Sequence, residues 1–164
     1  MDEPTYILTA ELDPASFAWL DGLRQRHFPP ARNFLSAHLT MFHRLSAPQI
    51  ERLATFDCPD QPVELHFDAP MCLGGGVAYR VRSPALEQLR ADIKHHMAGD
   101  LSRQDAQAWR PHVTVQNKVA ADVARQLHRG LTLDFVQRAG SVTGLMVWEY
   151  LGGPWRLSRR IGLG

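Results

Sequence analysis

Two short stretches of this chain echo each other: His38-Leu39-Thr40-Met41-Phe42 and His112-Val113-Thr114-Val115-Gln116. Each is a His-x-Thr triplet inside an alternating run. Side chains two apart in a β-strand share a face, so His38 projects beside Thr40, and His112 beside Thr114. Leu39 and Met41, like Val113 and Val115, then turn to a core. Each strand thus offers a proton carrier next to a hydroxyl donor. Two such strands facing one cleft would set two imidazoles on either side of one reacting atom, an arrangement suited to acid–base attack on phosphorus. With 8 His and 7 Thr in 164 residues, chance supplies only about 0.3 such triplets. A single triplet would be an ordinary half-buried strand; the signal lies in the pair.

One imidazole would act as base toward water and the other as acid toward the departing alkoxide. Thr40 and Thr114 would donate to the non-bridging phosphate oxygens. With both imidazoles in place no metal is needed. We take His112 as base and His38 as acid, although the residues alone do not rank them and reversing the reaction exchanges the roles. Alternation places Phe42 and Gln116 next along the same faces as candidates to line the cleft, with Phe42 stacking on a base. Arg44 and Lys118, two residues further on, come within reach of a phosphate. Tyr79, Trp148 and Trp155 read as packing residues.

The elements that must carry these groups follow from local signals. Tyr6–Leu12 reads as a strand. Asp13-Pro14 opens a helix to about His27, and Pro29-Pro30 ends it. Residues 33–44 hold the first triplet. Ser46 caps a short helix to about Phe56. Strands over 63–73 and 77–82 flank Gly74-Gly75-Gly76, which we read as a hairpin turn and not a phosphate cradle. Ser83-Pro84 starts the longest helix, to about Met97. The adjacent His95 and His96 point about 100° apart on it and cannot chelate together. A polar loop runs to Trp109, residues 110–117 hold the second triplet, and 120–129 form a helix. Three apolar segments follow Gly130, over 131–136, 142–150 and 155–161, and the last two close as an antiparallel hairpin around Gly152-Gly153-Pro154. The order implies two similar α+β halves, each contributing one His-x-Thr strand, within a single domain over 1–164.

Composition narrows the function classes. Net charge is +1 and the apolar share 45%, which argues against gripping long nucleic acid by charge. It leaves room for a small phosphorylated ligand or an RNA end. Cys58 and Cys72 form no CxxC pair and read as reduced thiols. The acidic start, Met1-Asp2-Glu3-Pro4, lacks a signal-peptide layout, and no run spans a membrane. We expect a soluble, cytoplasmic monomer without cofactor.

The doubled triplets, Pro111-His112 and the closing VTGLMVWEYLGGPWRLSRRIGL resemble the two-histidine (2H) phosphoesterases, which include 2′-5′ RNA ligase-like proteins and cyclic nucleotide phosphodiesterases. The resemblance covers nearly the whole chain. It implies an α+β, bilobal fold of two ferredoxin-like halves, with antiparallel sheets around a central cleft. It also implies metal-free activity on 2′,3′-cyclic phosphates or 2′-5′ linkages of RNA ends or small nucleotides, by hydrolysis or ligation. Ala37 departs from the proline that many relatives carry before the first His, and Gln116 stands where the first motif has Phe42. Two other classes compete. A non-catalytic RNA-binding module of ferredoxin-like fold lacks its aromatic-rich sheet motif here. A metalloenzyme would need a close ligand set, and HExxH is absent.

Overall fold

Among the described residues seven strands join in one antiparallel sheet, and the long strand β6 is what joins them. A computed structural model describes residues 2–164. The strands are β1 (Tyr6–Leu12), β2 (Leu39–Leu45), β3 (Val63–Cys72), β4 (Val77–Arg82), β5 (His112–Gln116), β6 (Arg138–Tyr150) and β7 (Trp155–Gly162). Their order is β2-β1-β6-β3-β4-β5, with β7 also paired to β6. Residues 138–142 of β6 pair with β3, and residues 144–150 pair with β7, while β1 runs along the opposite edge. The antiparallel sheets of the two halves are therefore one continuous sheet. It curls until its two end strands, β2 and β5, touch. Those end strands carry the two His-x-Thr triplets.

The helices are α1 (Pro14–His27), α2 (Ala47–Leu53), α3 (Pro84–Met97), α4 (Arg103–Ala106) and α5 (Ala121–Leu133). Each of the first three begins where a polar side chain satisfies the free N–H groups of the first turn. Asp13 accepts from Ser16 N at 3.0 Å and Ser83 from Leu86 N at 3.1 Å, while Ser46 and Gln49 form a capping box. Proline at the first helical position of α1 and α3, and at the second of α2, gives up no bond, because the N–H groups of the first turn have no partner within the helix. Leu86, Leu89, Ile93 and Met97 of α3 line one helical face and are buried. They meet Leu8, Leu39, Leu65 and Val113 in a single core. Truncating one of these leucines to alanine costs about 2–5 kcal/mol.

The Gly74–Gly76 turn joins β3 to β4, with Leu73 N donating to Gly76 O at 2.8 Å. A Cβ on Gly76 would sit 1.9 Å from the Gln116 carbonyl oxygen. Glycine there lets the end of β5 close onto the hairpin. Two details differ from expectation. The helix expected over 120–129 runs on through Gly130 to Leu133 and takes in the start of the apolar stretch 131–136. One exposed helical glycine costs only about 1 kcal/mol, too little to end a helix. Within the polar loop before Trp109 lies α4, capped by Ser102, which accepts from Asp105 N. Among the described residues, no helix is long and apolar enough to cross a membrane.

Candidate active site

Each His-x-Thr strand breaks its alternation at the same place, one residue after the threonine. On β2, Thr40 lies opposite Thr9 and Phe42 opposite Leu8, so Met41 is an extra residue. On β5, Thr114 lies opposite Ala78 and Gln116 opposite Val77, so Val115 is extra. These are β-bulges, which re-aim the side chains beyond them. Before the bulges the period-two rule holds: His38, Thr40, His112 and Thr114 all line one cleft of about 720 Å³.

The bulges redirect the candidates that follow. Phe42 is fully buried, its ring 4.4 Å beneath the Arg90 guanidinium. Gln116 is only 3% exposed and faces the interior, where its Oε1 has no partner among the described residues. Arg44 is exposed beside a different hollow, near Ser46 and Arg103. Lys118 occupies an exposed left-handed turn (φ 62°). None of the four lines the cleft. The simple alternation that places them there does not survive the extra residue.

The two imidazoles are held alike. His38 Nδ1–H donates to Ser36 O at 2.8 Å, and His112 Nδ1–H to Arg110 O at 2.7 Å. A carbonyl only accepts, so each Nδ1 carries the proton and each Nε2 is left for a ligand. Trp155 packs against the first ring, with centroids 4.8 Å apart at 58°. Burial pushes the His38 pKa down to about 4; the Ser36 bond opposes this, and the charges of Arg24, His43 and His112 add to it. His38 is therefore a neutral imidazole at pH 7.

Two buried arginines fix the strands that carry these rings. Arg24 of α1 donates to Leu35 O and Asn33 Oδ1, both at 2.9 Å, in the segment entering β2, and to Thr114 O of β5 at 3.1 Å. Arg90 of α3 donates to Asp105 O at 3.0 Å, ahead of β5, and to Met41 O of β2 at 2.8 Å. Each arginine thus ties the approach to its own half's His-x-Thr strand to a carbonyl of the other half's. Trp109 adds a bond from Nε1 to Thr40 O at 3.1 Å.

Among the lining residues that sequence reasoning missed are Trp155, His43 and Asp105. In the sequence Trp155 reads as hairpin packing, yet β7 delivers it to His38. The β2 bulge turns His43 outward, and Asp105 of α4 collects the backbone N–H groups that it frees. His43 N donates to Asp105 Oδ1 at 2.8 Å, and Arg44 N to Oδ2 at 2.9 Å. The His43 ring adds Nδ1–H to Oδ1 at 3.0 Å. Burial alone would raise the Asp105 carboxyl, but these donors outweigh it and hold it below the usual value. Beyond Trp155 lies a more apolar groove of about 840 Å³, lined by Phe17, Phe34, Met146 and Trp148. It shares His38 and Trp155 with the cleft. Among the described residues no cluster of three or more His, Cys, Asp or Glu is arranged to hold a metal ion.

Comparison with known proteins agrees with this architecture. Escherichia coli LigT complexed with 3′-AMP superposes with a TM-score of 0.63 at 19% identity, over 99% of each chain. TT0787 of Thermus thermophilus superposes with a TM-score of 0.67 at 12% identity, over 97% of each chain. LigT complexed with NADP+ gives 0.59 at 18% identity, over 99% of each. At these identities the likeness is one of fold. No curated protein matches the chain by sequence. The family model described as the 2′-5′ RNA ligase superfamily, however, matches residues 12–154, and with so much of its length matched the chain belongs to that superfamily.

Proposed function

We propose that this protein is a metal-independent phosphoesterase that acts on a 2′,3′-cyclic phosphate or a 2′-5′ phosphodiester of an RNA end or small nucleotide. One observation carries the reading. Two imidazoles, each with Nδ1 held by a carbonyl two residues earlier and each beside a threonine, line the same cleft from opposite ends of the sheet. Bases and acids for phosphoryl transfer need this pairing, one on the attacking side and one on the leaving side.

In hydrolysis, His38 Nε2 takes a proton from water as the water oxygen attacks phosphorus. His112, protonated on Nε2, gives that proton to the departing sugar oxygen. Thr40 and Thr114 donate to the non-bridging oxygens as charge gathers there. This order is the reverse of that taken from the sequence. Burial keeps His38 neutral, the form in which Nε2 can take a proton. For ligation the roles exchange. The base-stacking part assigned to Phe42 passes to Trp155 and the aromatic groove beyond it. Structures of LigT with 3′-AMP, NADP+ and phosphate support a nucleotide-sized ligand.

The test is a panel of 2′,3′-cyclic and 2′-5′-linked substrates in the presence of a chelator, with products analysed for which oxygen keeps the phosphate. Turnover with one regiospecific product supports the reading. A protein that binds a cyclic nucleotide and leaves it intact is a binding module instead.

A further inference from the structure

The cleft holds a third imidazole that the proposed chemistry does not use. His43 lines it with Nδ1 turned to Asp105, and its Nε2 makes no hydrogen bond among the described residues. Asp105 is 2% exposed, and its carboxylate accepts from the His43 ring, His43 N and Arg44 N. Among the described residues it is the one carboxylate lining the cleft, and these donors occupy it. A ligand entering here therefore meets no carboxylate free of partners.

The fold does not require a histidine at this point. The matching position after the second triplet is Asn117, whose Oδ1 accepts from Lys118 N within its own turn. The pseudo-symmetric site is thus asymmetric in one respect: a carboxylate-backed imidazole stands on one side only. Along the chain, Ser36, His38, Thr40 and His43 follow in order, with the aromatic groove at the Ser36 end. Thr40 and His43 are three residues apart, roughly 10 Å of strand at 3.3 Å per residue before the bulge shortens it. That is the scale of one sugar between two phosphates.

We propose that His43, backed by Asp105, binds a second phosphate of the substrate, carried one sugar away from the scissile group. The substrate class narrows accordingly to a 5′-phosphorylated nucleotide or RNA end. With Nδ1 turned to the Asp105 carboxylate behind it, His43 presents Nε2 to the phosphate in front, and one proton shared between that nitrogen and a phosphate oxygen makes the bond. A charge-assisted bond of this kind contributes about tenfold or more in affinity. The proposal rests on reading the cleft as a phosphoester site, and it gives the substrate a direction: base toward Trp155, second phosphate toward His43.

Titration of the whole protein with adenosine 2′-phosphate and adenosine 2′,5′-bisphosphate tests it without requiring turnover. The wild type is expected to bind the bisphosphate about tenfold tighter, and His43→Gln to bring the two dissociation constants within about twofold. In parallel, kcat/KM is compared for adenosine 2′,3′-cyclic phosphate with and without a 5′-phosphate. Two results would overturn the proposal: equal affinities in the wild type, or a His43→Gln variant that weakens both ligands by the same factor. The wild-type comparison does not depend on any variant folding. Binding preference without turnover would remove the phosphoesterase reading and leave the second-phosphate site standing.

Discussion

Arg24 and Thr114 lie 90 positions apart in sequence, and the guanidinium of one bonds the carbonyl of the other at 3.1 Å. Arg90 repeats the contact in the opposite sense, to Met41. Both arginines are buried and stacked on aromatic rings, Phe28 for Arg24 and Phe42 and Trp109 for Arg90. The imidazoles depend on these ties for their separation, because each guanidinium spans directly from one half to the His-x-Thr strand of the other.

Arg24→Met removes a charged donor from two carbonyls and Asn33, and should cost about 2–4 kcal/mol in urea unfolding. Arg24→Lys keeps the charge but cannot fork among three acceptors. It is expected to fold, with kcat reduced by at least tenfold, since small misplacements of reacting groups are costly.

Thr40→Val and Thr114→Val keep the strand shape and delete a hydroxyl that lines the cleft, where we propose it donates to the phosphoryl oxygens. Each should lower kcat about 10²-fold with a smaller change in KM, because the donors matter most when charge builds. Steady-state kinetics on a cyclic nucleotide measure this. A rise in KM at constant kcat would assign the hydroxyls to ground-state binding.

The pH response follows from Trp155 covering His38. With the His38 pKa at about 4 against an ordinary 6.5, the acid limb of kcat/KM should fall well below pH 6.5. Trp155→Ala exposes the ring and should move that limb upward. Stability changes in the same window. The unfolded chain binds the extra proton between pH 6.5 and 4, so the folded state loses up to about 3 kcal/mol as pH falls through that range. In His38→Gln this loss should be absent from the pH dependence of urea unfolding. An acid limb unchanged by Trp155→Ala would contradict the burial account.

Much of this is legible in the chain because local signals are strong. Asp13-Pro14, Ser46 with Gln49, and Ser83-Pro84 mark their helix starts, and the paired triplets mark the end strands. What escapes has physical causes. Strict alternation assigns Phe42 and Gln116 to the cleft, and a one-residue bulge reverses that assignment without any sequence signature of its own. His43 and Asp105 meet across 62 residues, and α4 is too short to show periodicity. Trp155 reaches His38 only because β7 pairs onto the long strand shared by both halves. A single-sequence reading sees none of these long-range contacts.

The central claim is that His38 and His112 carry the two proton transfers of one displacement, one each, without a metal. Its most direct test is the turnover of adenosine 2′,3′-cyclic phosphate in excess chelator by the wild type, His38→Gln and His112→Gln, with folding checked by circular dichroism. The account predicts full wild-type activity and a loss of at least about 10²-fold in each folded variant. Undiminished turnover in either variant, or wild-type activity abolished by the chelator, would contradict it.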